Sequence, residues 1–272
     1  HGALTVGSLA LLLFQNDVDE HGGEVLRDGG VMLLCLLAQA GERHEAHRDM
    51  EGVERLRRAD ILIGPRQAAQ AEGVGAADGE KWTPYLIPLV KSGKVKRIGV
   101  SNHNLAQIKR AEEILSEEGV HISAVQNHYS LLYRSSEKAG ILDYCKENGI
   151  DFWSYMVLEQ GALSGKYDTV HPLPAGSQRG ETYNPLLPQI EKLVAVIRTV
   201  GDKYDITPAQ VALAWAIAKG TTPIIGVTKP SQVQDALQAT KVTLTADEMK
   251  ALEETAESTG VDTRGSWEMP MV

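Results

Sequence analysis

Residues 93–104 read GKVKRIGVSNHN and residues 124–134 read AVQNHYSLLYR. In the first stretch an apolar run over 95–101 follows the Ser92-Gly93 break, which predicts a strand. Asn104 with Gln107 three positions later predicts a helix N-terminus with a capping box, and that helix runs to about Glu118. Ile122–Gln126 then reads as a second strand, and 136–148 as a helix closed by Gly149. Residues 150–155 form the next strand, and 223–227 form a fourth, buried one. Helices are predicted at 82–91, 187–203, 211–219, 230–240 and 245–258. Thr207 with Gln210 and Thr245 with Glu248 supply two more capping boxes. A strand that recurs after each helix favours parallel pairing, because the helix carries the chain back to the same end of the sheet.

In parallel α/β proteins ligands gather beyond the C-terminal strand ends. Those ends carry Ser101-Asn102, Gln126, Tyr155-Met156 and Gly226-Val227-Thr228-Lys229. Amides at two neighbouring strand ends can both donate to and accept from a planar carboxamide. An aromatic face at the third end can stack on a flat ring, and a lysine beside a helix start suits a phosphate. Each residue also has a plainer reading. Asn102 could close a turn, Gln126 could be a satisfied buried amide, Tyr155 a core aromatic and Lys229 a solvated surface lysine. Their recurrence at four successive strand ends favours the functional reading.

Three further strings extend the pattern: FWSYMVLEQGALSGKY at 152–167, TPAQVALAWAIAKG at 207–220 and PIIGVTKPSQVQDAL at 223–237. With the two opening strings and in this order, residues 81–272 resemble the second half of an aldo-keto reductase. The resemblance implies an α/β fold of the (β/α)8 TIM-barrel type, with only its last four β-α units clearly represented. It also implies NADP(H) as cofactor and reduction of a small aldehyde or ketone to an alcohol by hydride transfer. Carried over by position, Ser101, Asn102 and Gln126 would hold the nicotinamide carboxamide and Tyr155 would stack on its ring. Met156, Val157 and Leu158 would border the pyrophosphate, and the segment from Gly226 through Thr228 and Lys229 would receive the 2′-phosphate. Gln232 stands where many members have Arg, and Asp235-Ala236 replaces a Glu-Asn pair, so NAD stays open as a second cofactor.

Residues 1–80 do not continue the pattern backwards. All 14 lysines and all 8 tyrosines occur from Lys81 onward, while the first 80 residues carry seven arginines. The resemblance implies a catalytic Asp, Tyr, Lys and His from the first half of the barrel, and no Tyr or Lys stands there. The catalytic residues are therefore unassigned, and whether the chain is an enzyme is left open. The alternative is a non-catalytic subunit that binds a nicotinamide nucleotide or serves assembly. Residues 1–80 are thus set apart as an atypical segment from 81–272. A linker-like region, a degenerate barrel half and translation out of frame all fit, and the joint loss of Lys and Tyr favours the last. Short apolar runs at 31–40 and 59–64, a charged patch at 42–58 and a Gly/Ala-rich stretch at 67–80 are its only features. GVERLRRADILIG at 52–64 faintly resembles the family segment that leads to the catalytic His, but no His follows. His44 and His47 do not have the H-E-x-x-H zinc spacing, and Gly73-Val-Gly75 lacks the third glycine of a dinucleotide loop, so no metal site is expected.

A content of 43% hydrophobic and 23% charged residues is that of a soluble globular chain, and a net charge of −9 opposes binding to nucleic acid or an anionic membrane. Ala3–Phe14 is too short to span a bilayer and lacks the basic start of a signal peptide. Cys35 and Cys145 read as reduced thiols, which predicts a cytoplasmic location. The chain begins at His1 rather than Met, which predicts residues upstream. Four β-α units do not close an eight-stranded barrel, and an open sheet edge invites association or aggregation, so two half-barrels could pair as a homo-oligomer, though nothing in the sequence specifies one.

Overall fold

The computed structural model describes residues 10–12, 32–34, 61–63, 83–93, 95–227, 230–265 and 268. Cys35, the pair His44 and His47, the charged patch at 42–58, the stretch 67–80, Thr228 and Lys229 lie outside the described residues. The strands are β1 (Ala10–Leu12), β2 (Met32–Leu34), β3 (Ile61–Ile63), β4 (Arg97–Ser101), β5 (Ile122–His128), β6 (Asp151–Tyr155) and β7 (Thr222–Gly226). The helices are α1 (Ile87–Lys91), α2 (Leu105–Ser116), α3 (Ser135–Lys138), α4 (Ile141–Glu147), α5 (Gln178–Tyr183), α6 (Leu187–Tyr204), α7 (Pro208–Ala218), α8 (Pro230–Ala239) and α9 (Ala246–Ser258). The described residues fall into two compact units. The first unit takes residues from 11–127 and 136–153 with Glu268, and the second takes 128–135 and 154–265 with Ala10.

In the first unit β2, β3, β4 and β5 lie side by side in that order. β4 pairs with β5 in parallel, as the strand-helix alternation predicts, and β3 pairs with β4 in parallel although residues 1–80 carry no such alternation. The antiparallel step, Met32 opposite Ile63, joins β2 to β3 within the first 80 residues, where the sequence shows no β-α rhythm. All but Ser123 of β5 is buried, the pattern of a strand covered on both faces. α2 opens on the expected box: the Asn104 side chain accepts from the Gln107 N–H at 2.9 Å, and Gln107 Oε1 accepts from the Asn104 N–H at 2.9 Å. Ile108, Ala111 and Leu115 form its buried stripe at helical spacing. Two expected helices are shorter than the sequence suggested. Residues 83–86 wind as a 3₁₀ turn before α1. The helix expected over 136–148 is broken into α3 and α4 by Gly140, whose φ of 76° is left-handed and cannot continue a right-handed helix.

In the second unit β7 lies beside the end of β6, and the Ser154 and Thr221 hydroxyls are hydrogen-bonded at 2.9 Å. α6 buries Leu187, Ile190, Leu193, Val194, Ile197 and Val200 along one face. Burying each such side chain stabilises the fold by roughly 1.5–3 kcal/mol. α7 is buried over Gln210–Ala216, as a helix apolar on every side must be. Trp215 of α7 stacks on Tyr129 at 5.1 Å between ring centres, and its indole N–H donates to Glu253 at 3.1 Å. The connection 159–186 is not structureless. It holds a 3₁₀ segment over Glu159–Ser164, then α5 capped by the Ser177 hydroxyl. Both remaining capping boxes form, at Thr207 with Gln210 and at Thr245 with Glu248. Burial would raise the Glu248 pKa, but hydrogen bonds from the Thr245 backbone, Tyr204 and Lys203 hold the carboxyl down at about 2. That carboxylate ties the end of α6 to the start of α9. Cys145 of α4 is a free thiol 1% exposed, and burial pushes its pKa up to about 12. None of the described helices is long and apolar enough to cross a membrane. No group of three metal-ligating side chains occurs among the described residues.

Candidate functional site

The parallel register sets Ser101 at the end of β4 directly opposite Gln126 of β5. One residue further, the backbone N–H of Asn102 donates to the Gln126 carbonyl at 3.0 Å. Asn102 has φ 56°, the left-handed region that Asn enters more readily than most residues. Chain direction therefore changes at Asn102 itself, at a buried strand end. Ser101, Asn102 and Gln126 are thus brought together within one unit: a hydroxyl and two carboxamides at neighbouring strand ends. Gln126 is 3% exposed, so any ligand group reaching it would be desolvated.

The next residue along β5 holds this turn. The Asn127 side chain accepts from the His103 N–H at 3.3 Å and donates to the His103 carbonyl at 3.0 Å, with a further bond to Ser136 at 3.2 Å. One amide thus engages both backbone groups of the residue that follows Asn102, and it is fully buried. His103 Nδ1 donates to the Ser101 carbonyl at 2.8 Å. Burial holds the His103 imidazole below the usual histidine range, with the Ser101 carbonyl acting in the opposite direction. No role for Asn127 follows from the sequence alone. A second amide immediately after Gln126 was the signal available.

In the second unit, β6 ends in Tyr155, half-buried, and the chain turns through left-handed Met156 (φ 62°), Glu159 (φ 47°) and Gln160 (φ 53°). The Glu159 N–H donates to the Met156 carbonyl at 2.8 Å, which closes a tight turn over 156–159. Met156 and Leu158 are half-buried, but Val157 is 1% exposed. The Val157 side chain is therefore not available to a ligand at this turn. Gly226 ends β7 in open space, since a Cβ added there would meet nothing within 4 Å. In α8, Asp235 and Gln232 are exposed and Ala236 is buried.

Glu159, whose role is likewise not legible in the sequence, is the centre of this turn. Its carboxylate is fully buried and accepts from four side chains. His128 Nε2 donates at 3.0 Å, Tyr183 Oη at 2.7 Å and Thr263 Oγ1 at 2.9 Å, and the Ser130 hydroxyl is the fourth donor. Four donors offset the cost of removing an ionised carboxylate from water. A lone acid within the otherwise neutral run MVLEQGAL was the signal in the sequence.

A model of the Aldo/keto reductase family matches residues 76–257, which is more than half of the chain. The chain belongs to the aldo/keto reductase family. Its described β-α units are those of the (β/α)8 TIM-barrel type, as the sequence analysis expected. Among its relatives is the chloroplastic pyridoxal reductase of Arabidopsis thaliana, 36% identical over 168 residues, covering 62% of this chain and 46% of the relative. The chain spans about half the length of the curated relatives it matches. Among solved structures, glycerol dehydrogenase AKR11B4 from Gluconobacter oxydans aligns with a TM-score of 0.65 at 20% identity, over 79% of this chain and 65% of that one. A variant of Gox0644 in complex with NADPH aligns with a TM-score of 0.52 at 22% identity, over 75% of this chain and 62% of that one. At these identities the solved structures bear on the fold alone.

Proposed function

We propose that residues 81–272 are the cofactor-holding part of an NADP(H)-dependent oxidoreductase that reduces a small aldehyde or ketone to an alcohol. The observation that carries this reading is the register of β4 and β5. It sets the Ser101 hydroxyl and the Asn102 and Gln126 amides at adjoining strand ends, with the turn locked by Asn127. The donor set fits a carboxamide, which needs both a donor and an acceptor in one plane. In the second unit, Tyr155 is the residue proposed for the nicotinamide ring, and the turn 156–158 with Gly226 is proposed for the phosphates. Thr228 and Lys229 are proposed, by resemblance, for the 2′-phosphate. When bound, the nicotinamide would supply the hydride. The residues of this chain would bind it, orient its reactive face and exclude water. NADP(H) is preferred over NAD because the Thr-Lys pair stands in the sequence where the family resemblance puts the 2′-phosphate.

The absence of any Lys or Tyr before Lys81 favours a second reading, a subunit that binds the nucleotide without turnover. Titration with NADPH, followed by quenching of tryptophan fluorescence, tests the binding shared by both readings. Consumption of NADPH absorbance with a panel of aldehydes and ketones separates them. Binding with turnover supports the reductase, and binding without turnover supports the subunit. No quenching at millimolar NADPH overturns both.

A further inference from the structure

The carboxylate of Glu159 lies outside the residues proposed to touch the cofactor, yet it is fully buried and accepts from four side chains. Its four donors come from three places in the chain. His128 ends β5 and Ser130 follows it, Tyr183 ends α5, and Thr263 lies in the segment after α9. The link that matters for function runs through His128. With Nε2 held by Glu159, the imidazole plane is fixed, and its ring centre lies 5.5 Å from the Tyr155 ring centre with 27° between the planes. On the same imidazole, Tyr133 stacks at 4.3 Å and also 27°. The Tyr133 position is fixed in turn. Its N–H donates to Ser130 Oγ at 3.0 Å, while that hydroxyl donates to Glu159. A backbone bond from the Tyr129 N–H to the Tyr155 carbonyl at 3.1 Å keeps β6 in register with the same segment. Tyr155 is thus backed by a ring whose orientation is set by a buried charge.

We propose that Glu159 is a positioning residue: through His128 it sets the plane of the Tyr155 ring and thereby the affinity of the site for the nicotinamide ring. This rests on the reading that the chain binds NADP(H) with Tyr155 against the nicotinamide. A ring free to rotate about χ2 would lose stacking geometry, and a stacked aromatic pair contributes about 0.5–1.5 kcal/mol beyond the area it buries. A neutral amide at position 159 keeps the shape of the side chain but replaces one acceptor oxygen by a donor. It cannot satisfy all four of the present donors at once.

The test compares two ligands by fluorescence titration. NADPH carries the nicotinamide, whereas adenosine 2′,5′-bisphosphate carries only the adenosine end. In Glu159→Gln the expected result is about a tenfold loss of NADPH affinity with affinity for adenosine 2′,5′-bisphosphate kept within about twofold. Tyr155→Leu should show the same selective loss, and the double variant should lose no more than the larger single effect, because both changes disable one device. Equal losses for both ligands, an unchanged NADPH affinity, or additive losses in the double variant overturn the proposal. If Glu159→Gln does not fold, His128→Gln retains a donor for the carboxylate but removes the ring. It should reproduce the selective loss, and full NADPH affinity in that variant overturns the proposal. A wild-type protein that binds neither ligand overturns the NADP(H) reading itself, a result distinct from loss of selectivity in the variants.

Discussion

At the end of β4 the chain turns on a single left-handed residue, Asn102, and the turn is held by the neutral amide of Asn127. At the end of β6 it turns on three left-handed residues, Met156, Glu159 and Gln160, gathered around a carboxylate. The two strand ends face the same demand, a buried irregular backbone whose polar groups must all be satisfied. The first meets it with backbone-like hydrogen bonds from a side chain that carries no charge. The second meets it with an ion and four donors from distant parts of the sequence. Charge-assisted hydrogen bonds are roughly twice as strong as neutral ones, so the charged solution can hold a longer and more strained turn. It also leaves a larger debt if a partner is removed, because a buried donor without its acceptor keeps the full desolvation cost.

The largest effect that would break this contrast is therefore at position 159. Glu159→Ala should destabilise the chain by about 3–5 kcal/mol, because it leaves four buried donors without their acceptor at about 1–3 kcal/mol each before relaxation. Urea unfolding followed by far-UV circular dichroism would read it as a fall in midpoint with little change in slope. A loss below about 1 kcal/mol would show that the four donors find other acceptors or water, and that the carboxylate is not what holds the turn. Asn127→Ala comes next, at about 1–3 kcal/mol, since it strands the N–H and carbonyl of His103 without charge on either side. The same variant should weaken NADPH binding, because the turn at Asn102 is then free to relax. An Asn127→Ala protein as unstable as Glu159→Ala would erase the distinction between the two strand ends.

How much of this was legible beforehand follows from the range of the interactions. Capping boxes at Asn104, Thr207 and Thr245 are local, three residues apart, and each formed where the sequence placed it. The amides of Asn102 and Gln126 were legible because strand ends can be found from periodicity, and parallel pairing brings successive ends together. Asn127 was harder. Its partner is 24 residues away, and its neighbour Gln126 already had a role by resemblance. Glu159 was harder still, with donors from 24 to 104 positions distant. Nothing within a short window says that an acid after Val157-Leu158 turns inward instead of out to solvent. The break at Gly140 was missed for the opposite reason. Glycine in a helical pattern is often tolerated, and only the φ of 76° shows that this one is not helical.

The smallest effect concerns His103, which lies between the two solutions: a titratable ring at the neutral strand end. Burial lowers its pKa in the folded chain, and the bond to the Ser101 carbonyl recovers part of the loss. The unfolded chain binds the proton near pH 6.5, the folded chain only below that. Above about pH 6.5 the ring is neutral in both states and contributes no pH dependence. As pH falls beneath that value the unfolded state takes up a proton that the folded state resists, so stability declines until pH passes the folded pKa and then levels off. Other groups titrate in the same range, and the difference between wild type and His103→Asn removes their share. Unfolding midpoints measured from pH 7.5 to 5 should fall more steeply for wild type than for His103→Asn. Parallel slopes would mean that the ring is protonated in place, and the strand end at Asn102 would then be a charged solution after all. That outcome would set the β4 end beside the Glu159 turn, as two buried charges in place of an amide and a carboxylate.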